Sequence, residues 1–74
     1  MAEPREYEIV LQPEAEGGFS VSVPDLPGCH TQGETREEAL AMAKDAIEGY
    51  LETLAQEGMP LPKPATIERI TIRA

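Results

Sequence analysis

The 74-residue chain lacks most of the features that usually reinforce a small domain. It has one cysteine, one histidine, no tryptophan and only three aromatic side chains. A single cysteine cannot form an internal disulfide, and one cysteine with one histidine cannot make a structural zinc site. Below ~70 to 80 residues, one apolar core seldom supplies more than ~3 to 5 kcal/mol of stability. We therefore expect self-association, as a homodimer or homotetramer, to add stability.

Basic side chains are also scarce. The chain has six Lys and Arg against 14 Asp and Glu, which gives a net charge of −8. The six are scattered, so the basic patch of a nucleic-acid-binding protein is missing and we expect no direct nucleic-acid partner. An acidic surface suits a basic protein partner better. No apolar run approaches the ~18 residues of a membrane span, and the first residues, MAEPREYE, lack the apolar segment of a signal peptide. These absences, with a free cysteine, predict a cytoplasmic protein without membrane contact.

Alternating apolar and polar residues predict a β-hairpin near the N-terminus. Tyr7, Ile9 and Leu11 share one face of a strand over about 6–12, and GFSVSV alternates again over about 18–24. In PDLPGC, Pro27 and Gly28 suit the two central positions of a type II turn. A short third strand over about 29–32 follows this turn.

The second half of the chain predicts one long helix. Thr35 and Glu38 fit a capping box, apolar residues then recur at helical spacing over about 35–57, and Gly58 suits the end of the helix. After the proline-rich MPLPKP, the alternating IERITIR predicts a last strand over about 67–73. The expected fold is α+β, a single β-β-β-α-β domain with the helix on one face of the sheet.

The run GGFSVSVPDLPGCHTQGETREEALAMAKDAIEGYL resembles the HicB family of bacterial and archaeal antitoxins, from about Tyr7 to Pro64. PDLPGC followed by G-x-T-x-x-E-A carries the resemblance, which rests on Pro24, Asp25, Leu26, Pro27, Gly28, Cys29, Gly33, Thr35, Glu38 and Ala39. It implies a partial ribonuclease H-like fold. It also implies an antitoxin that binds and masks HicA, a small basic mRNA-cleaving ribonuclease. Many family members continue into a C-terminal DNA-binding domain, whereas this chain ends at Ala74, so we expect toxin neutralisation without direct promoter binding.

We expect no catalytic, metal or cofactor site. Asp25 is a conceivable metal ligand, but a two-metal nuclease needs several converging carboxylates, and we favour an Asp25 that accepts backbone hydrogen bonds in its turn. Cys29 and His30 are neighbours on a strand and point to opposite faces, so Cys29 is interpreted as a core residue and His30 as a possible partner contact. The glycines 17, 18, 28 and 33 are attributed to turns, since the chain has no GxxxxGK[ST] phosphate loop. Residual metal-dependent nuclease activity and an orphan oligomeric interaction module are the alternatives to an antitoxin.

Two features leave alternatives open. Gly49 lies inside the predicted helix, where either the sheet or a second subunit could approach closely. The sheet face opposite the helix could be solvated or could bind a second copy or the toxin; we expect it to carry Val10, Ser20, Ser22, Arg69, Thr71 and Arg73.

Overall fold

The computed structural model describes residues 6–73 as a three-stranded sheet followed by one long helix. The strands are β1 (Val10–Pro13), β2 (Phe19–Ser22) and β3 (His30–Gly33), and the helix is α1 (Arg36–Glu57). Both strand pairs are antiparallel, in the spatial order β1-β2-β3. The α+β fold and the N-terminal hairpin are confirmed, although each strand has only four residues and residues 6–9 precede β1 without forming part of it.

The register of the sheet divides its residues between two faces. Leu11 pairs with Val21 and Val21 with Thr31, whereas Val10 pairs with Ser22 and Gln12 with Ser20. Val21 is buried and packs beneath the helix. Since neighbouring strand residues point to opposite faces, the two serines lie on the face away from the helix.

The helix begins and ends where the sequence predicts. Glu38 donates its backbone N–H to Thr35 Oγ1 at 3.0 Å, and Glu34 donates its N–H to Glu38 Oε1 at 3.1 Å. This is a capping box in which the returning carboxylate bonds the residue before the cap. Gly58 ends the helix at φ 65°, with Met59 N–H bonded to the carbonyl of Leu54 at 2.9 Å, as in a Schellman motif.

The core is small and lies where the helix crosses β3 and β2. One cluster joins Val21 to Ala39 and Ala43, and a second joins Val23, Leu26 and Cys29. The buried helix residues are both alanines, so the helix backbone lies close to the sheet. Half-buried side chains complete the two clusters, among them Tyr7, Ile9, Leu11, Ile47, Tyr50 and Leu51.

The predicted strand over about 67–73 is not observed, so this part of the predicted fold is wrong. These residues have no regular structure and are exposed. Ile67, Ile70 and Ile72 expose 61%, 83% and 76% of their surface. Alternation gives a segment two distinct faces, but a strand also needs a neighbouring edge to bond, and here none is paired with it.

Candidate binding surface

The PDLPG segment forms two successive tight turns between β2 and β3. Leu26 N–H bonds the carbonyl of Val23, and Cys29 N–H bonds that of Leu26, both at 3.0 Å. Gly28 has φ 80°, so residues 26–29 form the predicted type II turn. Leu26 and Cys29 are buried, whereas Pro27 and Gly28 are exposed. The turn is therefore attached to the core by the residues on either side of its exposed tip.

The helix also holds this turn. Tyr50 donates its hydroxyl to the carbonyl of Pro27 at 3.0 Å. Sequence analysis missed this contact, because the two residues lie 23 positions apart and no local pattern links them.

The motif G-x-T-x-x-E-A marks the closest approach between β3 and the helix. A Cβ atom placed on Gly33 would lie 2.7 Å from Ala39 Cα and 2.9 Å from the carbonyl carbon of Glu38. Ala39 itself is completely buried. Attributing Gly33 to a turn was therefore wrong: it lies within a strand, has no positive φ, and is required because the helix backbone leaves no room for a side chain.

Asp25 accepts a backbone hydrogen bond, but not from its own turn. Its Oδ1 accepts from the N–H of Ala65 at 2.8 Å, 40 residues away. Leu61, Pro62 and Pro64 lie beside Leu26 and Tyr7 in the same region. The carboxylate therefore attaches the segment after the helix to the turn, and the predicted donor was wrong.

Removing the Asp25 carboxylate should release this attachment. In Asp25→Ala, we expect amide exchange at Ala65 to accelerate and the free energy of unfolding to fall by about 1 kcal/mol or less, since the bond is exposed. Asp25→Asn keeps an acceptor oxygen and is the matched control. Unchanged exchange at Ala65 in Asp25→Ala would contradict this role.

Cys29 ends the type II turn and His30 begins β3, and the two side chains lie in different environments. Cys29 is buried, and burial raises the pKa of its thiol, whereas His30 is exposed. A buried thiol with a raised pKa is a weak nucleophile at neutral pH. The interpretation of Cys29 as a core residue is therefore supported by its position.

Acidic side chains surround an open groove where the first hairpin loop meets the start of the helix. The groove is lined by Glu14 and Glu16 from the loop and by Glu34 and Glu38 from the helix start, with the exposed Met42 beside them. Sequence analysis missed this groove, because the approach of the loop carboxylates to the helix depends on the tertiary fold. Four carboxyl groups beside an exposed apolar side chain would suit a basic protein surface.

The structure assembles only half of the expected interface on the outer sheet face. Val10 and Ser22 are register partners there, and Ser20 lies on the same face. Arg69, Thr71 and Arg73 belong to the segment without regular structure, so placing them on this face was wrong. Their expected position depended on the strand over 67–73.

Gly49 is not explained by close approach of the sheet. A Cβ atom placed there would meet no atom within 4 Å. It lines an open groove with Cys29, His30 and Tyr50. Close approach of the sheet is therefore excluded as the reason for Gly49, and close approach of a second subunit stays a prediction.

Within residues 6–73, no three His, Cys, Asp or Glu side chains converge as a metal site would need. No helix in that part of the chain is long and apolar enough to span a bilayer.

Comparison with known proteins places these features in a family. The model of the HicB_like antitoxin of bacterial toxin-antitoxin systems matches residues 7–74. A protein named Antitoxin HicB 1 from Photorhabdus laumondii is 52% identical over 62 residues, and Antitoxin HicB from Escherichia coli K12 is 45% identical over 62 residues. Each alignment covers 78% of this chain, but only 39% and 44% of those relatives, so the chain spans less than half their length.

A relative of similar length has no functional name. A UPF0150 protein of Thermoplasma acidophilum is 40% identical over 68 residues, which cover 92% of this chain and 97% of that protein. The family match extends over the turn, the glycine at the helix crossing and the segment after the helix. The chain therefore belongs to the HicB-like antitoxin family of bacterial toxin-antitoxin systems.

Proposed function

We propose that this protein neutralises a HicA-like ribonuclease toxin by binding the toxin's basic RNA-binding surface and excluding mRNA. Family membership supports an antitoxin role with a toxin as partner. The resemblance to HicB proteins implies that this toxin is a small basic enzyme that cleaves mRNA. Such a partner would place the interaction in the cytoplasm.

The charge distribution of the chain is the observation that supports this mechanism. Residues 6–58 contain twelve acidic and two basic side chains, a net charge of −10 over the folded body. The acidic groove defined by Glu14, Glu16, Glu34 and Glu38 concentrates part of this charge beside exposed Met42. Opposite charge steers two proteins together, whereas apolar and backbone contacts hold the complex after encounter. An acidic body also competes directly with the RNA phosphates for the toxin's basic surface.

Association with the toxin should therefore depend on salt. Exposed charges are screened over about 8 Å at physiological ionic strength, so the association rate should fall as salt rises, more than the dissociation rate increases. Glu14→Lys with Glu16→Lys should lower the association rate about 3- to 10-fold at low salt. Stopped-flow kinetics with a HicA-like toxin, at several ionic strengths, would measure both effects.

A matched variant separates local charge from total charge. Glu48→Lys with Glu52→Lys makes the same change in net charge, beginning about 15 Å along the helix from Glu38 of the groove, and should lower the rate less. RNA cleavage by the toxin should cease as the complex forms. An association rate indifferent to salt, or tight binding that leaves cleavage unchanged, would contradict masking and favour an orphan oligomeric interaction module.

We also propose that the protein has no catalytic activity of its own and acts as a homo-oligomer. Asp25 accepts a hydrogen bond from a backbone N–H, and it belongs to no cluster of three potential metal ligands among the described residues. RNA cleavage with Mg²⁺ or Mn²⁺ that disappears in Asp25→Ala would instead support residual nuclease activity. The small core favours an oligomer.

A further inference from the structure

We propose that an extended basic segment of the toxin adds as a strand to the free edge of β3 and places one apolar side chain in the groove at Gly49. This inference deepens the proposed function and rests on it. Three features of the described residues support it: unpaired backbone groups on β3, a helix flank with room for a side chain beside them, and carboxylates on that flank.

The outer edge of β3 has backbone groups without a partner strand. Val23 N–H bonds the carbonyl of Cys29 at 3.1 Å, and the residues bonded to a neighbouring strand alternate along an antiparallel pair. Cys29 and every second residue after it therefore bond to β2, whereas the N–H and C=O groups of His30 and Gln32 point away from the sheet. Within residues 6–73, neither makes a backbone hydrogen bond outside the sheet. An added strand would find two donors and two acceptors there.

This strand carries none of the side chains that usually block an exposed edge. Native edges are commonly protected by a lysine, a proline or a bulge. β3 has the sequence HTQG and pairs with β2 in a continuous register, so it contains none of these. The edge ends at Glu34, whose N–H is already bonded to Glu38 Oε1. The open part of the edge is therefore His30 to Gln32, where both side chains are exposed.

The flank of α1 beside this edge leaves room for a side chain of the added strand. Gly49 lines an open groove with Cys29, His30 and Leu54. A Cβ atom at Gly49 would meet nothing within 4 Å, and a glycine inside a helix costs about 1 kcal/mol relative to alanine. The folded chain itself therefore has no need of this glycine. An apolar side chain of a partner, seated in the groove, would need it.

Charge selects the toxin as the occupant. Glu38, Met42, Asp45 and Gly49 follow one another at intervals of four, three and four residues, so they share one flank of the helix. Glu38 and Met42 also lie beside Gln32, at the far end of β3. A second copy, related by two-fold symmetry, would bring this flank and its carboxylates against their own equivalents. A basic segment would meet them with opposite charge. We therefore assign the approach at Gly49 to the toxin.

The spacing of the flank fits an alternating segment. Asp45 lies four residues before Gly49, about 6 Å along the helix axis. Side chains two positions apart on a strand share a face and are about 6.7 Å apart. One added strand can therefore place an apolar side chain at Gly49 and a Lys or Arg beside Asp45 at the same time. Strand addition of this kind obtains affinity from backbone bonds and specificity from alternate side chains.

Amide hydrogen exchange tests the strand addition directly. In the protein alone, the amides of His30 and Gln32 should exchange rapidly, because they have no acceptor. When a HicA-like toxin is added, both should exchange at least about tenfold more slowly. Thr31, whose N–H is bonded within the sheet, is the internal control and should change far less. Exchange measured by NMR on the labelled antitoxin, with and without unlabelled toxin, would resolve the three amides.

Gly49→Leu separates binding from folding. Leucine favours a helix and its Cβ would meet no atom of the chain within 4 Å, so the free energy of unfolding should be unchanged or higher. The dissociation constant for the toxin should nevertheless rise at least about tenfold, because the new side chain fills the groove. Ala55→Leu adds bulk at another exposed helix position, about 120° around the axis, and should change neither quantity.

Asp45→Lys tests the charge of the occupant. It should raise the dissociation constant at least about tenfold at low salt, and the effect should shrink as salt rises. Asp45→Asn removes the charge with little change in shape and should lie between the two. Equal affinities of all three proteins would contradict a basic side chain beside Asp45.

The outcomes distinguish this inference from the proposed function. Toxin that binds and is neutralised while both edge amides exchange as before would overturn strand addition at β3 and leave the antitoxin role. Protection that appears without toxin and grows with protein concentration would show that a second copy occupies the edge, which also overturns the inference. Gly49→Leu that binds as tightly as the original chain would overturn the role of the groove. Absence of any binding to the toxin would contradict the proposed function itself.

Discussion

Gly33→Ala is expected to destabilise the domain by about 3 kcal/mol or more, although it adds a single methyl group. The new Cβ would lie 2.7 Å from Ala39 Cα and 2.9 Å from the carbonyl carbon of Glu38. Both are backbone atoms, so the conflict can be relieved only if the start of the helix moves away from β3. Such a movement would expose Ala39, which is completely buried, and disturb its contacts with Val21.

The expected loss is comparable to the ~3 to 5 kcal/mol that a core of this size supplies. Urea denaturation followed by circular dichroism of the helix would measure it. Gly49→Ala is the matched control, because the same methyl group would there meet nothing within 4 Å. That variant should gain up to about 1 kcal/mol from helix propensity. Equal effects of the two substitutions would contradict the close approach at Gly33.

Local chemistry explains which parts of the fold were predictable. The type II turn and both helix ends each depend on residues within six positions of one another, such as Thr35 with Glu38 and Gly58 with Leu54. Hydrogen bonds of this kind follow from residue type and spacing alone. The predicted bounds of the helix, about 35–57, accordingly agree with the observed bounds to within one or two residues.

The errors concern contacts between distant parts of the chain. A glycine in a strand and a glycine in a turn look alike in the sequence, so Gly33 was attributed to a turn although the helix is what excludes its side chain. Asp25 was expected to accept a hydrogen bond from its own turn, but it accepts one from the backbone N–H of Ala65, 40 residues away.

The C-terminal segment shows a different kind of error. Its alternation is genuine, but the pattern gives only the two faces of a strand and not the edge that pairs with it. The same reasoning applies to the acidic groove, whose carboxylates come from two elements that only the fold brings together.

Gly28 is required for a different reason from Gly33: its backbone conformation, and not a lack of space, restricts the residue type. A Cβ atom at Gly28 would meet nothing within 4 Å, but the residue has φ 80°. Space is available, and the backbone conformation alone restricts the residue type. The turn that Gly28 completes also positions the Pro27 carbonyl for Tyr50 and holds Leu26 and Cys29 in the core.

Gly28→Val is therefore expected to cost about 2 to 3 kcal/mol through backbone strain, because a β-branched residue strongly resists positive φ. Gly28→Asn should cost less, about 1 kcal/mol, since asparagine tolerates the left-handed region. A chemically synthesised chain with D-alanine at position 28 should retain nearly full stability, because a D-residue prefers positive φ. Urea denaturation of the three proteins would rank them D-alanine, asparagine, valine in decreasing order of stability. If D-alanine were as damaging as valine, crowding rather than backbone conformation would be the cause, and the geometry of the PDLPG turn would need to be revised.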